Sequence, residues 1–283
     1  MISIDTIKQN FFPEKINAIR HSEYEFLFRD TIEFILEQHQ KLSTEITDNT
    51  ITDLLFPLAY HPDFILSPES INHSQYSDYL NQFTPPHKPS RPETKIINHP
   101  EEETDLVRIL FQRFTTSSYE TIIERQKMFT LEQKENIQSQ YFILNQSFPE
   151  LDFLSYTFEA ALDFNSLQKL KKHSFQAFIT LPIIPTHGYY TPETIINSGL
   201  LSTYVMTMKK TLDAFYKISG ELSTHACYLL PIAFNHKVIF TININQLLKI
   251  NSPLIDELWP LVKKATPTIY HNIQKLKQNY ETQ

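Results

Sequence analysis

The stretch Thr224–Asn251, THACYLLPIAFNHKVIFTININQLLKIN, decides how the chain is read. It holds an apolar run that closes on proline, Tyr228 to Pro231, and a β-branched run, Lys237 to Ile244, whose side chains suit a pleated, packed surface. Both runs are expected in a sheet. From Asn243 the period changes, because Asn245, Gln246, Leu247, Leu248, Lys249 and Ile250 fit a helical turn that an Asn can cap. A strand therefore feeds a helix through polar residues. The free N–H groups at a helix start can seat an anion or a cofactor, although many strand-to-helix turns bind nothing.

Composition narrows the chemistry. The chain has 283 residues, 41% of them hydrophobic and 20% charged, enough to fold around a sizeable core. Its formal net charge of −7 argues against a general nucleic-acid binder, which needs clustered positive charge to displace counterions. The single cysteine, Cys227, rules out an internal disulfide framework and suits a reducing compartment. No apolar run is long enough to span a membrane, and MISIDTIKQN lacks the order of a signal peptide, so a cytoplasmic location is expected. Only 3 glycines are present, against an average share of about 7%. Neither G-x-G-x-x-G nor G-x-x-x-x-G-K occurs, which disfavours the common nucleotide-binding folds. The eleven histidines form no H-E-x-x-H or paired metal spacing, and no metal is expected.

Working outward, Ser22 to Leu42 reads as an amphipathic helix. After it comes DLLFPLAYH, in which Leu54-Leu55-Phe56-Pro57-Leu58-Ala59-Tyr60 falls into step with Tyr228-Leu229-Leu230-Pro231-Ile232-Ala233-Phe234. Both follow a long helix, the pattern expected of an internal duplication. Pro68 to Leu80 reads as a short helix, and the proline-rich 84–92 as a connector. The domain reading is thus a mostly helical segment 1–83, a connector 84–92 and a second domain 93–283.

Within the second domain, Glu101 to Glu103 open a helix, followed by helices over Tyr119–Phe129 and Leu131–Asn145. Phe153 to Leu162 and Phe175 to Ile184 read as extended, with Asn165 capping a helix between them. Thr191-Pro192-Glu193 marks a helix start and Gly199 a left-handed cap, before a helix over Leu200–Leu222. The tail from Pro253 to Tyr280 is helical, divided by Pro260 and Pro267. Lys169, Lys171, Lys172 and His173 form a basic cluster, which by charge pattern alone fits a solvated helix end, its lysines offsetting the negative end of the macrodipole, better than an anion site.

From Arg91 to Ser252 the order of elements resembles the flavin-dependent thymidylate synthases of the ThyX type, in particular the second module of their double-length relatives. The letters that carry the likeness are Asp163-Phe164, then Lys172-His173-Ser174 where the family has Arg-His-Arg. After these come Pro185-Thr186-His187-Gly188-Tyr189, the run Ala226 to Ile232, and Asn243-Ile244-Asn245 where the family has Asn-x-Arg. The resemblance implies an α+β module, a central mostly antiparallel sheet packed by long helices, preceded by the helical remnant of a first module. It further implies sites between subunits of a homo-oligomer, where FAD passes hydride from NADPH and methylenetetrahydrofolate supplies carbon to dUMP.

By that resemblance Lys172, His173, Ser174, Asn243, Asn245 and Lys249 stand at cofactor-binding positions, and Lys171 and Lys237 at substrate-binding ones. No catalytic residue is assigned. Ser174 and Asn245 replace arginines, and Leu254 stands near where a nucleotide-binding arginine is expected. A hydrogen bond to a charged group contributes about 1.5–3 kcal/mol, so the three losses together weaken binding by roughly 4 to 9 kcal/mol if they add. The expectation is a catalytically impaired relative with a binding or assembly role, whose hold on FAD or a nucleotide is diminished. The alternatives are an active dUMP-methylating enzyme that uses lysines, or a partner subunit of a catalytic ThyX-like chain.

Overall fold

The computed structural model describes residues 7, 11–61, 63–64, 93–101, 104–144, 147–181, 183–250 and 253–281. Helices in chain order are α1 (Asn17–Arg20), α2 (Glu25–Glu45), α3 (Asn49–Thr52), α4 (Asp105–Phe114), α5 (Tyr119–Met128), α6 (Leu131–Leu144), α7 (Phe164–Leu170), α8 (Glu193–Asn197), α9 (Leu201–Ala226), α10 (Ile244–Lys249), α11 (Pro253–Ala265) and α12 (Pro267–Glu281). The strands are β1 (Lys95–Asn98), β2 (Ser155–Leu162), β3 (Ala177–Thr180) and β4 (His236–Asn243). This is the mixed α+β architecture expected, one sheet with helices. The short helix expected over Pro68–Leu80 and the connector 84–92 lie outside the described residues.

The sheet runs in the order β1-β2-β4-β3, with β1 antiparallel to β2 and β3 antiparallel to β4. Between β2 and β4, the Thr157 and Thr241 hydroxyls meet at 3.0 Å and the Ile244 N–H donates to Leu154 O at 3.1 Å. Advancing on one strand means retreating on the other, so this central pair is antiparallel too. Side chains alternate along both strands. Tyr156, Phe158, Ala160 and Leu162 are buried from β2, and Val238, Phe240 and Ile242 from β4. The Phe240 ring is the hub of that face, with Phe175 at 5.3 Å, Phe158 at 5.5 Å and Phe178 at 6.2 Å between centroids.

The chain divides into two compact units. The first comprises 1–92, 161–168 and 182–237, and α2 packs on α9 within it. The second comprises 93–160, 169–181 and 238–283 and contains most of the sheet, with α4, α5 and α6 and the α11–α12 pair. There the Glu150 carboxylate is buried but satisfied: it is paired with Arg113 and accepts from the Tyr141 hydroxyl at 2.5 Å.

Four local readings are corrected. Tyr228–Pro231 is not a strand: α9 tightens into a 3-10 turn over Cys227–Leu229, closed by the Leu230 N–H on Cys227 O at 3.1 Å. An apolar run buried on all sides carries no period to separate the two forms. Among the described residues after Phe175, the strand covers only Ala177–Thr180, although Ile184 again has extended dihedrals. The cap of α7 is Asp163, whose Oδ1 accepts from the Asn165 and Ser166 N–H groups at 3.0 and 3.1 Å, while Asn165 lies inside the helix. Finally, Pro260 sits within α11 without dividing it, and the buried Leu258, Trp259 and Val262 supply packing that offsets the lost backbone bond.

Candidate functional site

The strand-to-helix junction stands where the sequence puts it. Asn243 ends β4 with extended dihedrals and caps α10, its Oδ1 accepting from the Gln246 N–H at 2.7 Å. Gln246 Oε1 reaches back to accept from the Asn243 N–H at 3.1 Å, completing a reciprocal capping box. The Ile244 N–H is taken by Leu154 O. These first-turn donors are thus used inside the protein. Asn245 is committed as well: its Nδ2 donates to Phe148 O at 2.9 Å and to Asp152 Oδ1 at 3.1 Å.

Asp152 is not among the site residues expected from the sequence, yet it is where two expected regions meet. Two residues beyond Ser174, Gln176 sends Nε2 to Asp152 O at 3.5 Å, accepts from Ser155 Oγ at 2.6 Å, and docks its N–H on Thr241 O at 3.0 Å. The chain leaving the basic cluster is thereby tied to the turn that holds Asn245. The available signal was an acidic residue just ahead of a strand, in FPELDFLS.

The remaining expected residues are not gathered there. Helix α7 ends at Leu170, so Lys171, Lys172 and His173 belong to the turn after it, with the Lys172 N–H on Lys169 O and the His173 N–H on Leu170 O. Lys171, Lys172 and Ser174 are exposed and His173 is half-buried. Lys249 is exposed at the far end of α10. Lys237 is half-buried near the start of β4, and Asn243 closes that strand, which places them roughly 20 Å apart at the usual rise. Leu254 is a buried apolar residue of α11.

Such an arrangement is a poor phosphate clamp. Guanidinium forks bind phosphate in a planar, two-pronged fashion that flexible ammonium groups do not reproduce. In this unit Arg108 and Arg113 are held by Asp105 and Glu150. At the helix start, where an anion would be seated, Asn245 instead faces the carboxylate of Asp152. The positions expected to bind a flavin or nucleotide phosphate therefore carry no arginine fork.

In the first unit the segment Pro185–Tyr190 is a bracket. Gly188 takes a φ of 72°, which its missing Cβ permits, and its N–H closes on Pro185 O at 2.9 Å. Asn235 then holds both faces of the turn, Nδ2 on His187 O at 3.1 Å and N–H on Gly188 O at 3.0 Å. The Tyr204 hydroxyl donates to Tyr190 O at 2.7 Å, and burial raises its pKa.

One Ser, His and Asp do line up, on α2 and the turn that follows α3. His39 Nε2 stands 3.6 Å from Asp53 Oδ1, and Ser43 Oγ lies 3.5 Å from His39 Nδ1. The geometry does not make a nucleophile: Ser43 gives its proton to His39 O at 2.9 Å, the ordinary back-bond of a helical serine. Burial lowers the pKa of His39 and raises that of Asp53. Burial also pushes the Cys227 thiol up to about 12, which leaves it unreactive. Among the described residues no cluster of three or more His, Cys, Asp or Glu could hold a metal ion, and no helix is long and apolar enough to cross a membrane.

No family model matches the chain. A UPF0159 protein of Chlamydia muridarum (strain MoPn / Nigg) is 24% identical over 93 residues, which are 33% of this chain and 18% of that protein. The match thus spans less than a fifth of the relative's length. Two solved structures of a UMP/dUMP methylase PolB from Streptomyces cacaoi are similar to the chain, each at 9% identity. The complex with 5-Br dUMP has a TM-score of 0.49 and covers 65% of this chain and 96% of that one. The complex with 5-Br UMP has a TM-score of 0.44, with 66% and 95% covered.

Proposed function

We propose that the chain is a diverged relative of the flavin-dependent thymidylate synthases, with a role in binding or assembly and impaired methyl transfer. In this reading residues 93–283 are the ThyX-like domain, 1–83 the remnant of a first module and 84–92 the connector. Support for the lineage comes from the motif order between Arg91 and Ser252, with His173 and Asn243 at their motif letters.

The observation that carries the functional part is the commitment of Asn245. Where the family's motif has an arginine, this amide is bound to Phe148 O and Asp152 Oδ1. A carboxylate in that place repels a phosphate, and an amide cannot supply the fork that would outweigh it. The exposed lysines 171, 172 and 249 are strongly hydrated point charges, each free to stay in water.

The test is an absorption spectrum of the purified protein, followed by thermal shift with FAD and with dUMP. The expected outcome is no flavin band at about 450 nm and no shift of the melting temperature with either compound. A yellow preparation, or a dUMP-dependent shift lost in Lys172→Ala, would sink the proposal and favour an enzyme that works with lysines.

A further inference from the structure

The likeness between Leu54–Tyr60 and Tyr228–Phe234 extends much further in the fold than in the letters. Helix α1 begins at Asn17 and α8 at Glu193; each buries an isoleucine, Ile19 and Ile195, whose carbonyl accepts from a serine, Ser22 at 2.8 Å and Ser198 at 3.0 Å. Each serine Oγ then faces the backbone N–H two residues on, that of Tyr24 at 3.2 Å and that of Leu200 at 3.4 Å. Tyr24 and Leu200 are the N-caps of the long helices α2 and α9, with dihedrals of −87°, −2° and −89°, 2°.

The helices repeat as well. Buried Phe28, Thr31, Ile32, Ile35 and Leu42 of α2 stand, at one constant spacing, where Tyr204, Thr207, Met208, Thr211 and Ile218 are buried in α9. Thr31 and Thr207 bond back to the carbonyls of Leu27 and Thr203, each at 2.8 Å. Both helices break at the same place, Ile46 with φ −118° and Leu222 with φ −117°. After the extra residues Thr47 and Asp48, each copy enters a 3-10 turn, Asp53–Leu55 and Cys227–Leu229, and reaches its proline.

Mates touch mates. Pro57 bridges Pro231 in an antiparallel pair, flanked by the Leu58 N–H on Leu230 O and the Ile232 N–H on Phe56 O, both at 2.8 Å. These two bonds exchange into each other when the copies are swapped. Along the helices, Lys210 Nζ lies 4.2 Å from the ring centroid of Phe34, which is its own counterpart. A residue that contacts its own equivalent lies on a two-fold axis, and such contacts define an isologous interface.

We propose that residues 17–60 and 193–234 are two copies of one element related by a local two-fold axis, and that the first copy fills in cis an interface whose fitting partner is otherwise a second copy of that element. The inference rests on the duplicated-module part of the reading above, but its test does not depend on flavin or dUMP binding.

The bridged prolines give the test. Neither needs an N–H, because they form the non-hydrogen-bonded type of antiparallel pair, with Cα atoms about 4.5 Å apart, inside the range a disulfide spans. The full-length double variant Pro57→Cys/Pro231→Cys should oxidise to an intramolecular disulfide, losing two titratable thiols while migrating as a single chain on a non-reducing denaturing gel at every protein concentration. Pro231→Cys alone should give no covalent dimer, since native Cys227 is buried and its face is already filled. A disulfide-linked dimer of Pro231→Cys, or a cross-link between chains in the double variant, would overturn the inference. If the proline variants fail to fold, Phe34→Cys/Lys210→Cys joined by a short bismaleimide reads the same axis from the helices, and failure to link within one chain counts against it.

Discussion

Asn243 does two jobs at one backbone position: it ends β4 and its side chain starts α10. Because α10 has only six residues, its cap is a large share of what holds it. Asn243→Ala leaves the Gln246 N–H without its partner and is expected to cost about 1 kcal/mol, read as a lower urea midpoint at unchanged slope. His39 makes a pH prediction. Burial holds its folded pKa below the ordinary 6.5, and burial does the same for His61. As pH falls through 6.5 the unfolded chain takes up protons that the folded one refuses, so stability is complete above that value and is lost on acidification. Asp53 works in the opposite direction, since its raised pKa lets the folded state keep a proton as pH rises from 3.8. Stability at about pH 5 should thus be lower than at about pH 7.5, and His39→Phe, which keeps a ring against Phe56, should reduce the difference. An equal slope in wild type and His39→Phe would remove His39 from the account.

At the scale of elements, the run Cys227–Leu230 illustrates where a sequence stops being legible. Its letters announce burial, and Leu229 and Leu230 are fully buried. Either Leu→Ala change should cost about 2–5 kcal/mol in denaturant unfolding, whichever backbone form they adopt. The form itself was not legible, because a strand and a 3-10 turn with every side buried present the same unbroken apolar letters. Elements with a wet face are legible: β4 alternates, α9 has its helical period, and Gly199 occurs at a φ of 77°. Capping was legible at Asn243 but misassigned at α7, where Asp163 and Asn165 compete for one role and only the direction of the chain leaving β2 decides. The site was harder still. Asp152 acquires its place by bonds to Asn245 and Gln176, from segments far apart in the chain, and no local pattern encodes such a meeting. The repeat was visible over seven apolar letters only, because burial and hydrogen bonding outlast residue identity: Phe28 and Tyr204, or Ile35 and Thr211, fill equivalent places with different side chains.

For the whole molecule, chain connectivity predicts how it unfolds. The two compact units are not consecutive stretches, since the chain passes between them at 92/93, 160/161, 168/169, 181/182 and 237/238. Two of these passages fall inside strands: β2 continues from Ala160 to Leu162, and β4 begins with His236 and Lys237 before Val238. Both strands are covalently continuous across a unit boundary, and strand pairing is cooperative along its length, so unfolding of the first unit frees the last residues of β2 and the first residues of β4. The expectation is therefore one transition despite a length at which separate domains are common. The one tryptophan, Trp259, is buried in the second unit and reports on it by fluorescence. A fluorophore attached at an exposed site of α9, for example through Tyr216→Cys, reports on the first. In urea the two signals should trace coincident curves with the same midpoint and slope. Midpoints that separate, with the α9 probe responding while Trp259 remains native, would mean that β2 and β4 tolerate a break at the unit boundary and that the units fold independently.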